Sequence, residues 1–80
     1  MILKPIVTEK AVMMVESQNT LTFQTGKESS KEEIKKEIEL LFDVKIQAIR
    51  VFIRENKKYA YVKLKSEYPA IDVATKLGII

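Results

Sequence analysis

The 80-residue chain has no cysteine, no histidine and no tryptophan, and only two glycines and two prolines. Without cysteine and histidine there are no disulfides, no thiolate nucleophiles, no imidazole acid–base chemistry and none of the usual zinc ligands. Most enzyme classes are thereby excluded, and the chain is read as a non-enzyme. Gly26 and Gly78 lie too far apart in sequence to build a phosphate-cradling glycine loop. Carboxylates close in sequence, such as Glu32 and Glu33, or Glu37 and Glu39, point in different directions on a helix and do not form a catalytic pair. No apolar run approaches the roughly 18 to 20 residues of a membrane span, and Met1 to Val7 is too short and weakly charged for a signal peptide. The expectation is a soluble cytosolic protein with no cofactor, no metal and no small-molecule substrate.

What the chain does have is charge in one place. Its net charge is +3, with 31% charged residues. Between Arg50 and Lys65 stand six cations, Arg50, Arg54, Lys57, Lys58, Lys63 and Lys65, against the single carboxylate of Glu55. That segment therefore carries +5, and the rest of the chain −2, a directed electrostatic footprint. The same segment alternates like two strands joined by a short turn. With a period of two, Arg50, Phe52 and Arg54 share one face, as do Tyr59, Tyr61, Lys63 and Lys65, while Val51 and Ile53 face inward with Ala60, Val62 and Leu64. Paired as a hairpin, these strands bring rings and cations to one side, a surface able to stack bases and neutralise phosphates. The competing explanation is an edge hairpin protected by lysines, which needs no aromatic interleaving.

No linker, repeat or low-complexity tract divides the chain, so residues 1–80 are read as one domain. A domain this small buries somewhat more than about 60% of the surface its unfolded chain exposes, and a partner would help to stabilise it. Met1 to Val7 reads as extended, because Pro5 keeps Lys4 from helical angles. Thr8 has the chemistry of an N-cap, with Glu9 at the positive end of a helix running to about Glu16 that turns Val12 and Val15 inward beside Ala11. A strand follows near Thr20 to Thr25. Ser30 and Glu33 fit a capping box that opens the longest helix, where Ile34, Ile38, Leu41 and Phe42 form an apolar stripe. With three lysines against four glutamates this helix is a poor phosphate binder and is expected to face away from any RNA. From Val44 the apolar phase switches, which calls for a bulge near Ala48. The hairpin turns within Glu55 to Lys57. Pro69 opens a last short helix with Ile71, Ala74 and Leu77 inward and Gly78 as its stop. The predicted order is strand, helix, strand, helix, strand, strand, helix: an α+β two-layer sandwich, a four-stranded antiparallel sheet with helices on one face.

Several segments resemble one family. Pro5, Ile6, Val7, Thr8, Glu9 and Lys10 match a proline, two aliphatics, then Thr or Ser, Glu and Lys. Leu21, Thr22 and Phe23 resemble the same family's second strand, and Lys31, Ile34, Leu41, Phe42 and Val44 its central helix and exit. Lys58 and Ala60 through Leu64 match its last strand, and Tyr68 to Ala70, Asp72 to Ala74 and Lys76 to Ile80 its ending. Together they resemble the large-subunit ribosomal protein L-twenty-three family, in its archaeal and eukaryotic form. The resemblance implies a structural protein of the cytoplasmic large ribosomal subunit, bound to rRNA beside the polypeptide exit tunnel and next to other ribosomal proteins. It also implies a docking surface for nascent-chain factors such as the signal recognition particle. In the bacterial branch the glutamate of the Thr/Ser-Glu-Lys motif contacts a ribosome-bound chaperone, and Glu9 is the matching position. Where the bacterial form carries a long hairpin loop, this chain has only Arg54 to Lys58, which argues against a direct part in lining the tunnel.

The rRNA-binding candidates are Lys4, Lys10, Arg50, Phe52, Arg54, Lys57, Lys58, Tyr61, Lys63 and Lys65. The cations suit phosphates rather than base edges, since phosphates take most hydrogen bonds in such interfaces. Phe52 and Tyr61 either contact nucleotides or simply pack across the strands. Lys4 and Lys10 flank a helix N-terminus, whose amides favour an anion. Glu9 and Met13 are the candidates for partner docking. Met13 and Met14 are adjacent and cannot both face inward, so one is either an adaptable contact or loose core filling. Two other functions compete: a free RNA-recognition module, which would carry more rings on its central strands, and a ligand-sensing α+β domain that dimerises through its sheet, where cationic faces would repel.

Overall fold

The computed structural model describes residues 3–79. Met1, Ile2 and Ile80 lie outside the described residues, so the expected first strand is seen from Leu3 onward. The elements are β1 (Leu3–Pro5), α1 (Glu9–Gln18), β2 (Thr20–Thr25), α2 (Lys31–Phe42), β3 (Ile46–Arg54), β4 (Lys57–Leu64) and α3 (Ala70–Lys76), in the predicted order. The four strands form one antiparallel sheet in the order β1-β2-β4-β3.

Local chemistry sets most element ends. The Thr8 hydroxyl accepts from the Ala11 amide at 3.1 Å, the N-cap expected for α1. That helix runs two residues beyond Glu16 and ends on Asn19, whose left-handed backbone (φ 52°) an asparagine tolerates. Ser30 and Glu33 close a reciprocal capping box at the start of α2, with the Glu33 amide 3.2 Å from the Ser30 hydroxyl. The change of apolar phase in β3 is a register shift between Ile46 and Ala48, so Gln47 is the extra residue of the bulge. Val44 precedes the strand, which starts only at Ile46.

Leu21, Phe23, Ala60, Val62 and Leu64 are fully buried on one face of the sheet, with Ile34 and Ile38 of α2 and Ala70, Val73 and Ala74 of α3 in the same core. Three expected core positions are corrected. Ile53 is 69% exposed, because the apolar layer stops at Val51 and Ala60 and Ile53 pairs with Lys58 beyond it. In α2, Leu41 is 59% exposed, and Phe42 completes the stripe by stacking on Phe23, ring centroids 6.4 Å apart. Positions 34, 38 and 42 advance about 40° per step around the helix, and the aromatic contact selects this row over the one through Leu41. In α3, Ile71 points outward; Val73 and the small Ala70 and Ala74 face the core instead.

The helices do not all keep to that face. α1 packs on β2 and α3. Its Val15 enters the core, while Lys10, Ala11 and Met14 border a cavity on the opposite face together with Phe52, Tyr59 and Tyr61. The three-residue β1 pairs only with Phe23 to Thr25, so the Thr20 end of β2 is paired with β4 alone, and α1 packs on β2.

Candidate nucleic-acid interface

Register puts the rings and cations together. Lys4, Gln24, Tyr59 and Phe52 form one row across all four strands; Thr22, Tyr61 and Arg50 form the next, and Thr20, Lys63 and Ala48 the one beyond. Directly paired residues project to the same side of a sheet. Phe52 therefore sits against both tyrosines, with centroids 5.3 Å from Tyr59 and 4.8 Å from Tyr61. All three rings are half-buried and keep contact with solvent. Packing across the strands and contact with a ligand are thus compatible here, since offset rings stabilise each other and still offer a surface.

Arg50, Arg54, Lys57 and Lys63 are exposed around these rings, and Lys4 lies on the same face at the far edge. Arg54 stands opposite Lys57 at the mouth of the hairpin. Like charges at directly paired positions cost stability, and a bound polyanion relieves that cost. Lys10 reaches the same side from the first turn of α1.

Lys58 and Lys65 are placed differently from expectation. Lys58 has the opposite phase, pairs with Thr25 and Ile53, and donates its ammonium hydrogen to the Ser29 carbonyl just before α2. It belongs to the core side of the sheet, because its neighbours in β4, Tyr59 and Lys57, take the other. Lys65 lies past the end of β4, exposed, with its amide bonded to the Lys45 carbonyl at 3.0 Å.

Glu9 and Met13 lie one turn apart on α1 and border a shallow groove with Ser17 and Gln18, which Lys10 and Met14 line as well. Met13 is 61% exposed, whereas Met14 is half-buried and turned toward the rings. Sequence reasoning did not single out Thr22 or Met14 as part of the ring face. The period of two within β2 separates Thr22 from Leu21 and Phe23, but only the pairing with β4 puts it beside Tyr61.

An antiparallel α+β sandwich with one cationic, ring-bearing sheet face has the architecture of a small RNA-associated protein. Residues 1–71 match the family described as ribosomal protein L23, and the chain belongs to that family. The family is a structural, non-enzymatic one, and membership places the protein in the large ribosomal subunit in the cytoplasm, in the company of rRNA and other ribosomal proteins. Among the described residues no helix is long and apolar enough to cross a membrane.

Proposed function

We infer that the ring-bearing face holds large-subunit rRNA, with Arg50, Arg54, Lys57, Lys63, Lys4 and Lys10 on phosphates and Phe52 and Tyr61 against nucleotides. The observation that carries this is the set of cross-strand rows, in which exposed cations surround a cluster of three half-buried rings. Phosphate contacts supply salt-dependent affinity and rings supply stacking, and one surface offers both. Lys65, at the strand end, is a peripheral contact in this reading. For Lys58 the bond to Ser29 is the better account. The acidic α2 lies over the other face, away from the RNA.

The same reading puts the protein beside the exit tunnel, in the manner of the archaeal and eukaryotic form, with Glu9 and Met13 presented to nascent-chain factors such as the signal recognition particle. The two-residue connection between β3 and β4, Glu55 and Asn56, is too short to extend into a tunnel.

The test is salt dependence. Arg50→Glu combined with Lys63→Glu should weaken binding to a large-subunit rRNA fragment and flatten the dependence of log affinity on log salt by about one unit per lost phosphate contact. A slope equal to that of the wild type would remove the ring-bearing face as the rRNA site.

A further inference from the structure

Between α1 and the ring-bearing face lies a half-open cavity of about 330 Å³. Phe52, Tyr59 and Tyr61 form one wall, and Ala11 and Met14 of α1 form the other. Thr22 lines the same cavity, is only 7% exposed, and has a buried hydroxyl with no hydrogen-bond partner among the described residues. Buried hydroxyls are nearly always paired, because an unpaired one forfeits its bonds to water without replacement. The neighbouring Thr20, in the same phase of the same strand, does find a partner, the Gln18 carbonyl at 2.9 Å. The orphan is therefore particular to the cavity.

Charge narrows the choice of occupant. Lys10 and Arg54 are both exposed and border the cavity, and none of the described side chains lining it is acidic. The volume is at the small end of the range for ligand pockets, about 300–1,000 Å³, so it suits one flat ring system rather than a length of strand. A flat, polar-edged ring with an anionic group on each side is a nucleotide within a chain.

Resting on the reading of this face as the rRNA site, we propose that the cavity receives a single nucleobase turned out of its stack, gripped between the aromatic wall and Met14, with its edge bonded to the Thr22 hydroxyl and its flanking phosphates on Lys10 and Arg54. Unstacking a base has a cost, which is smallest for a nucleotide already in a loop or bulge, and stacking on protein rings offsets it. Met14 is the adaptable part of the enclosure: its unbranched thioether can shift to open the way to Thr22. The contact would fix the register of the RNA at one point, whereas the surrounding phosphate contacts hold it without regard to sequence.

Thr22→Val separates the two roles. The substitution keeps the shape and removes the orphan hydroxyl, so the fold should be as stable as before or more so. Binding of the full chain to large-subunit rRNA should weaken about three- to tenfold, the worth of one hydrogen bond, with no change in salt slope. In parallel, ultraviolet irradiation of intact large subunits carrying the wild-type chain should join Phe52, Tyr59 or Tyr61 to a nucleotide from one rRNA position, and this measurement decides the matter should the variant fold poorly. Wild-type affinity in Thr22→Val overturns the proposal, as do adducts that link these rings to a peptide of a neighbouring ribosomal protein, which would make that protein's side chain the occupant. Either result, obtained while Arg50→Glu with Lys63→Glu still flattens the salt slope, removes the base pocket and leaves the ring-bearing face intact. An rRNA affinity that does not vary with salt in the wild-type chain removes the face itself.

Discussion

The two hydrogens of the Asn19 side-chain amide are shared among the carbonyls of Leu64, Lys65 and Tyr68 at 3.1, 3.3 and 3.1 Å, and its oxygen accepts from the Ala70 amide at 2.6 Å. One residue thus caps α1 through its backbone and α3 through its side chain. Pro69, at the N-cap position of α3, makes no side-chain cap of its own, so Asn19 supplies the missing acceptor from 51 residues away in sequence. In the sequence Asn19 reads only as part of a turn. Its positive φ is accessible from local chemistry, but its four bonds depend on where β4 ends. Asn19→Ala loses the bonds and adds left-handed strain, for an expected destabilisation of about 3 kcal/mol in urea unfolding. Asn19→Gly loses the bonds alone and should be about 1 kcal/mol less damaging. Equal effects for both would show that backbone strain contributes nothing, and no effect for either would remove the residue's role as a joint cap.

Among the elements, the β3–β4 hairpin is the one on which the proposed interface depends. Its two turn residues, Glu55 and Asn56, both have positive φ, 52° and 64°, the geometry of a type I′ turn whose twist matches the flanking strands. A two-residue turn leaves a single register, and that register places Phe52 opposite Tyr59 and Arg50 opposite Tyr61. Slippage by one residue would send the rings into the core. Asn56→Gly relieves the left-handed strain at one of the two turn positions and should raise the melting temperature by the equivalent of about 0.5 kcal/mol, with rRNA affinity unchanged. A lower melting temperature would mean that the asparagine side chain, not its backbone, secures the turn. The alternation of Arg50 to Lys65, the Thr8 cap, the Ser30–Glu33 box and the bulge were all legible, because each is set by neighbours a few residues apart. The exposure of Ile53, Leu41 and Ile71 was not. A period says which residues share a side, but not how far the opposing layer extends to cover them.

At the scale of the whole molecule α1 stands between the ring-bearing cavity and an outer groove. Ala11 borders the rings, Glu9 and Met13 border the outer groove, and Lys10 and Met14 lie between and line both. In the proposed function, a helix packed on β2 would touch RNA and still present a surface outward. Glu9→Lys should leave incorporation into large subunits intact while recruitment of the signal recognition particle to those subunits falls on the order of tenfold, about 1.4 kcal/mol. Glu9 also favours the N-terminus of α1, so a thermal melt of the variant is needed beside the recruitment assay. Unchanged recruitment would leave Glu9 a helix-stabilising residue only.

Element order, the antiparallel α+β class, the family and the existence of a cationic, ring-bearing strand pair were determined by the sequence alone, since capping, alternation and charge clustering act over a handful of residues. The tertiary structure decided which side each boundary residue takes: it withdrew Lys58 to Ser29, brought Thr22 and Met14 to the rings, and joined Asn19 to the start of α3. Those outcomes depend on strands meeting across some 30 to 50 residues of chain. Only the assembled sheet, with α1 packed on β2, determines which groups find partners there and which, like the Thr22 hydroxyl, have none among the described residues.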